Sequence, residues 1–208
     1  MTDNASLVSD LRLVFVRSGT SWDDVVENAL QVILFGSRAV GPHGPDSDWD
    51  LLCVGHGERI RRGELDLLWL TRSETRSKEW LGSELASHIA AFGKWIVGAD
   101  DWSDMATISD EAIAKKRRHI EHRLAALARV WLHLSTAHKR RHTRLIRRQL
   151  QRLQLLERRQ AVIPNPMLDR EWRILLSENC GNLRLSAFAA VLGIDVEPIT
   201  VLDRLQDA

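Results

Sequence analysis

The sequence predicts an α+β fold: a small mixed sheet flanked by helices, completed by a helical C-terminal part. Three observations carry this. Apolar runs at 32–35, 51–54 and 65–71 have the length and bulk of buried strands. Helix-like apolar spacing precedes the first run and follows the last. From Ser109 onward the chain reads as amphipathic helices broken by Pro. At 208 residues there is room for a compact domain with a helical annex, and we expect domains at 1–108 and 109–208.

Taken in order, residues 7–16 read as a helix with Leu11, Val14 and Phe15 among its apolar positions, ended by Gly19. Ser21 caps a second short helix to about Asn28. The first strand, 32–35, delivers Gly36 and Ser37; the second carries Asp48 and Asp50 into 51–54. Residues 57–63, with Arg59, Arg61 and Arg62, read as a polar connection. In the third strand, 65–71, Asp66, Leu68 and Leu70 share one face and Leu65, Leu67 and Trp69 the other. Residues 77–92 read as one helix with Trp80, Leu81, Leu85, Ile89 and Phe92 in its buried stripe and His88 solvated or hydrogen-bonded. Residues 93–98 add a short fourth strand or an edge segment. Asp100, Asp101 and Asp104 then make a solvated acidic turn.

Ser109, Asp110 and Glu111 open a long helix, a cap followed by acids at the positive end of the macrodipole. Ile113, Ile120, Leu124, Leu127, Trp131 and Leu134 recur at spacings of three, four and seven, with Lys115, Arg118, His122 and Arg129 on the opposite side. A second helix, about 139–159, sets Ile146, Leu150 and Leu153 against Arg141, Arg144, Arg148 and Arg152. We expect the two to pack antiparallel. Pro164 and Pro166 break the run, and 167–178, 185–192 and 198–205 can each form a helix.

Composition sets the broad class. Hydrophobic content of 44% and charged content of 27% suit a soluble globular protein. No apolar run reaches membrane-spanning length and the polar start is no secretory signal, so no membrane partner and a cytoplasmic location are expected. Cys53 and Cys180 are too few for a disulfide framework, and Cys53 reads as a small buried hydrophobe. The net charge of +1 conceals a segregation. Residues 1–110 hold 10 Lys and Arg against 18 Asp and Glu, residues 111–160 hold 15 against 3, and residues 161–208 hold 4 against 7. The middle segment, net +12, suggests an anionic partner.

The chemistry concentrates between the first two strands. A Gly-Ser pair where a strand gives way to a helix leaves backbone N–H groups and a hydroxyl available to a phosphate. Asp48 and Asp50, two residues apart, point to one face of a strand, a costly pairing unless a cation neutralises it. A phosphate cradle beside paired carboxylates suits metal-assisted phosphoryl or nucleotidyl transfer. The competing reading is a hairpin whose acids face solvent. A Walker loop is excluded because no Gly-Lys-Ser/Thr follows the first Gly, and a dinucleotide fingerprint because its Gly spacing is absent.

Gly36, Ser37, Ala39, Gly41, Ser47, Asp48, Asp50 and Leu51 match, position by position, the pattern Gly-Ser-x-Ala-x-Gly, loop, Ser-Asp-x-Asp-Leu. This resembles the DNA polymerase β-type nucleotidyltransferase superfamily, in particular its small bacterial members. The resemblance covers about residues 30–100, with Val40 standing where small members often carry Arg. It implies that Asp48 and Asp50 bind divalent metal, Mg²⁺ first, and that Asp66 serves a second ion and the acceptor hydroxyl. It also implies that Gly36 and Ser37 hold the β/γ-phosphates of an NTP, ATP or CTP first, with Arg38 and Ser47 as helpers.

The acceptor is read from charge. Only Glu121 and Glu157 interrupt the basic run between Ala112 and Gln160, whereas a merely solvated helix mixes signs to gain ion pairs four residues apart. Arg141, Arg144, Arg148 and Arg152 are therefore taken as acceptor-binding and RNA, tRNA-like, as the acceptor, in a toxin or defence enzyme. The alternative is AMP transfer to a partner protein from the same operon; the chain has no Tyr and cannot modify itself on one. Antibiotic nucleotidylation fits less well, since cationic aminoglycosides avoid a basic surface. A binding protein without activity is set aside by the intact acids. Arg117 and His122 match the Arg-x4-His spacing of helical ribonucleases, a spacing common in a chain this rich in Arg and His.

Overall fold

The computed structural model of the chain describes residues 4–170 except Pro42, Pro45 and Asp46. It divides into two units, Met1–Ile108 with Ala161–Pro166 and Ser109–Gln160 with Met167–Ala208. The helices expected at 185–192 and 198–205, most of the one at 167–178, and Cys180 lie outside the described residues.

The first unit opens with α1 (Asn4–Arg17) and α2 (Trp22–Asn28). Ser21 caps α2, its hydroxyl accepting from the Asp24 amide. Five strands follow: β1 (Ala29–Phe35), β2 (Trp49–Gly55), β3 (Ile60–Arg62), β4 (Leu65–Leu70) and β5 (Lys94–Val97). They form one mixed sheet in the order β3-β4-β2-β1-β5, parallel only between β2 and β4. Between β4 and β5 come α3 (Lys78–Leu81) and α4 (Glu84–Phe92).

Alternation along the strands sorts residues onto two covered faces. Val32, Leu34, Trp49, Leu51, Cys53, Leu65 and Leu67 pack with Leu11, Val14 and Phe15 of α1 and Trp22 and Val25 of α2. Ile33 and Leu52, with Phe35 and Leu68, meet Ala86 and Ile89 of α4 and Trp102. The result is an α+β fold whose sheet is sandwiched between helices.

Two local features differ from the sequence reading, and two more gain detail. The connection 57–63 is a strand: β3 pairs with β4 through the two-residue turn Gly63-Glu64, where Gly63 takes φ +57° as such a turn requires. The helix expected over 77–92 is two, because Gly82 ends α3 and the Ser83 hydroxyl caps α4 by accepting from the Ala86 amide. His88 is hydrogen-bonded, as expected, and is buried as well, with Nδ1 at 2.5 Å from the Val162 carbonyl oxygen. The acidic turn is exposed, as expected, and ion pairs organise it. Asp101 accepts from Arg72 (3.0 Å), Arg76 (2.7 Å) and Gln31 (2.8 Å), and the Arg76 bond foremost holds its carboxyl below the usual range.

The second unit is built on α5 (Asp110–Val130) and α6 (Thr136–Glu157), capped by the Ser109 and Ser135 hydroxyls. Ile120, Leu124, Leu127 and Trp131 pack against Ile146, Leu150 and Leu153. Arg117 near the start of α5 meets Glu157 at the end of α6 at 2.7 Å, as an antiparallel pair requires. Lys115, Arg118, His122, Arg129, Arg141 and Arg144 are exposed. Arg148 is not among them: Nε and Nη2 bind the two carboxylate oxygens of Asp169 at 2.9 and 2.5 Å. Arg152 is half-buried on the same side of the helix. The spacing had placed these two outward with Arg141 and Arg144, but the chain after Pro166 covers that part of α6, where Gln151 also donates to the Leu168 carbonyl. Among the described residues no helix is long and apolar enough to cross a membrane.

Candidate active site

β1 ends at Phe35 and the chain turns at once into a 3-10 turn, Gly36–Arg38. Gly36 takes φ +73°, and a Cβ there would collide with the Asp50 carboxylate. The left-handed backbone favours glycine, and any larger residue would also have to displace the Asp50 carboxylate. The peptide of the turn lies against a carboxylate, so backbone donors and an acid stand side by side here.

The registers place the acids. Phe35 on β1 is opposite Asp50 on β2, Asp50 is level with Asp66 on β4, and Asp66 is opposite Arg61 on β3. Register partners share a face, so Arg61, Asp66, Asp50 and Phe35 form one row across four strands. Asp48 lies one residue before β2 and is exposed. Asp50 is half-buried, and its pKa is raised from 3.8 to about 6, by desolvation first and then by the charges of Asp66 and Asp48. Arg61 opposes that shift.

Arg38, expected among the nucleotide contacts, is turned inward. Its Nε donates to the Ser47 carbonyl at 2.8 Å, its guanidinium stacks 4.4 Å above the Trp49 ring, and Glu64 lies 3.8 Å away. Only 10% of the side chain is exposed. Trp49 in turn donates its amide to the Glu64 carbonyl at 2.6 Å. Arg38 therefore ties the exit of the loop, Ser47 and the residue after it, to the sheet. Ser37 and Ser47 are both half-buried beside this clasp. Arg38→Ala should lower stability by about 1–2 kcal/mol through loss of one charged hydrogen bond and the ring contact. Urea denaturation checks it; an unchanged midpoint would remove the clasp.

Arg59 and Arg61, in the stretch expected as a polar connection, both touch Asp66. Arg59 Nη2 is 3.3 Å from each carboxylate oxygen and Arg61 Nε is 3.7 Å from one. The available signal was Gly63 between two strand-like runs, with Arg59 and Arg61 two residues apart and so on one face.

The donor set Asp48, Asp50 and Asp66 is all oxygen, which suits a hard divalent cation. Among the described residues no three Asp, Glu, His or Cys converge into a metal cage. Mg²⁺ needs no such cage, since it binds one or two carboxylates together with substrate phosphates and water. The raised pKa of Asp50 marks a carboxylate whose charge lacks compensation, so the residues fit the ion.

The family model of the nucleotidyltransferase domain matches residues 22–156, which spans the row of acids and both long helices. The chain belongs to this nucleotidyltransferase family. Comparison with curated proteins gives no significant sequence match. Two solved structures are similar to this nucleotidyltransferase. One is the spectinomycin adenyltransferase AAD(9) from Enterococcus faecialis, solved with ATP and spectinomycin. It is 13% identical, with 99% of this chain and 100% of that chain covered and a TM-score of 0.48. The other is a mutant of the toxin–antitoxin pair MntA-HpeT, 17% identical, with 62% of this chain and 98% of that chain covered and a TM-score of 0.30.

Proposed function

We propose that this nucleotidyltransferase moves a nucleoside monophosphate from an NTP, ATP or CTP first, to an acceptor hydroxyl on RNA in the cytoplasm. The observation that supports the reaction is the approach of the Gly36 backbone to Asp50, with Asp66 level on the neighbouring strand. Mg²⁺ held by Asp48 and Asp50 would neutralise charge developing on the phosphates. Gly36 and Ser37 receive the β- and γ-phosphates on the turn. Arg38 keeps Ser47 and Asp48 in place rather than touching the nucleotide. Asp66 accepts the proton of the acceptor hydroxyl. The acceptor oxygen bonds to the α-phosphorus, the bond from that phosphorus to the β-phosphate oxygen breaks, and pyrophosphate leaves.

RNA as acceptor is supported by the exposed cations of α5 and α6, Lys115, Arg118, Arg129, Arg141 and Arg144. Arg148 and Arg152 belong to the same proposed surface as supports, since Asp169 holds the first and the second is half-buried. Phosphate contacts supply affinity without reading sequence, and each adds to the salt dependence. Replacing Arg141 and Arg144 together by Gln should weaken RNA binding and reduce the slope of log affinity against log salt by about one to two. Filter binding across a salt series checks this; an unchanged slope removes the two from the acceptor surface. The deciding experiment offers each labelled NTP with total RNA, then with a lysate cleared of RNA. Label is expected in RNA. Label entering only a protein band would replace this reading with AMP transfer to a partner.

A further inference from the structure

The acid next to the edge strand, Asp66, is held by cations of its own chain. Arg59 and Arg61 lie two residues apart on and just before β3, so their side chains leave the same face as Asp66 and Asp50. The Asp66 side chain is 19% exposed, whereas Arg59 and Arg61 are 61% and 74% exposed. A carboxylate set in the sheet is thus gripped by two cations that stand mostly in water. Ion pairs of this kind are weak and exchange readily, because solvent screens them and the long side chains lose freedom in forming them. An ordinary cross-strand pair would serve only to join an edge strand to its neighbour. Here the anion also belongs to the row that carries Asp50, and Arg59 reaches it from outside the ladder of β3.

We propose that Arg59, assisted by Arg61, is a resident counter-cation of the acidic site, which holds Asp66 and competes with divalent metal for its carboxylate. This rests on the proposed reading of the site as one that takes a metal–nucleotide. The competition sets how much divalent cation the protein binds without nucleotide. When metal enters, the guanidinium gives up Asp66 and returns to solvent, where most of it already stands. Arg59 is then a positioning residue: it controls the third carboxylate, and so the cation occupancy of the site.

The test is Mn²⁺ binding to the full chain without nucleotide, followed by the paramagnetic signal of free Mn²⁺. Arg59→Gln should bind Mn²⁺ about two- to fivefold more tightly than the wild type, the range that an exposed ion pair allows. Arg59→Lys keeps the charge and should bind close to the wild type. Equal melting temperatures of the three proteins in chelator establish that the comparison is between folded proteins; Arg59 lies outside the β3 ladder, and its loss should leave the strand paired. Asp50→Asn is the control. If wild-type binding depends on Asp50 and Arg59→Gln binds no more tightly, the counter-cation is overturned while the metal site stands. If no protein binds Mn²⁺ in an Asp50-dependent way, the metal site itself falls, and this inference with it. Tightening in Arg59→Lys equal to that in Arg59→Gln would also overturn it, because charge would not be the cause.

Discussion

Asp50→Asn should abolish nucleotide transfer, with a loss of at least about a hundred- to a thousandfold, the range found when one preorganised electrostatic partner is removed. Label transfer from an NTP under Mg²⁺ measures it, and activity near the wild type would remove Asp50 from the site. The same substitution should stabilise the metal-free protein at neutral pH. The Asp50 pKa is raised from 3.8 to about 6, so the folded state holds this proton more tightly than the unfolded chain does. That contribution to stability is fully present below about 3.8 and is lost as the pH rises through about 6. The wild type in chelator should therefore lose stability between about pH 4 and pH 7, and Asp50→Asn should not. With the discount that a half-buried group requires, the difference at pH 7 is on the order of 1–2 kcal/mol. A chelator-treated melting series against pH checks the sign, and added Mg²⁺ should return stability only to the wild type. Equal pH profiles would show that the carboxylate bears no uncompensated charge.

Gly36→Ala should be the single methyl in the first unit that costs most activity, because the clash falls on Asp50 itself. At φ +73° any L side chain is strained, at about 1–3 kcal/mol. The added Cβ also meets the Asp50 carboxylate, whose side chain must swing away or push the turn off β1. Either movement separates the backbone of the turn from the acid, so activity should fall at least about a hundredfold, as misplacement by an ångström does. Gly41→Ala is the matched control. It shares a positive φ, +116°, but no atom lies within 4 Å of the added Cβ, so it should cost stability with a much smaller loss of activity. Equal activity losses in the two would mean that backbone strain, not the contact with Asp50, is what matters at Gly36.

Much of the first unit was readable from local chemistry. The three central strands, the Ser21 and Ser109 caps and the two faces of the Asp66 strand follow from short-range periodicity and capping. The same is true of the α5 stripe from Ile113 to Leu134, every member of which packs in the second unit's core. The acids were legible for a similar reason, since Gly36 and Asp50 sit in one short stretch and their residue types narrow the chemistry. The split between α3 and α4 was missed because the apolar stripe runs through Gly82 without losing phase, while the Ser83 cap acts only on backbone donors. β3 was missed because three residues rich in Arg show no apolar period; their strand exists by pairing with β4.

By itself, then, the sequence determined the three central strands, the two long helices with their apolar stripes, and that Gly36, Asp48, Asp50 and Asp66 stand near the ends of sheet elements. These follow from forces acting over a few residues: backbone sterics, capping and apolar spacing. Only the tertiary structure decided which partner each long cation takes. Arg38 folds inward onto Trp49 and Ser47, Arg148 closes on Asp169, and Arg59 reaches Asp66. A guanidinium at the end of a flexible side chain can meet any anion that folding brings within its reach, and Coulomb attraction makes that choice through space.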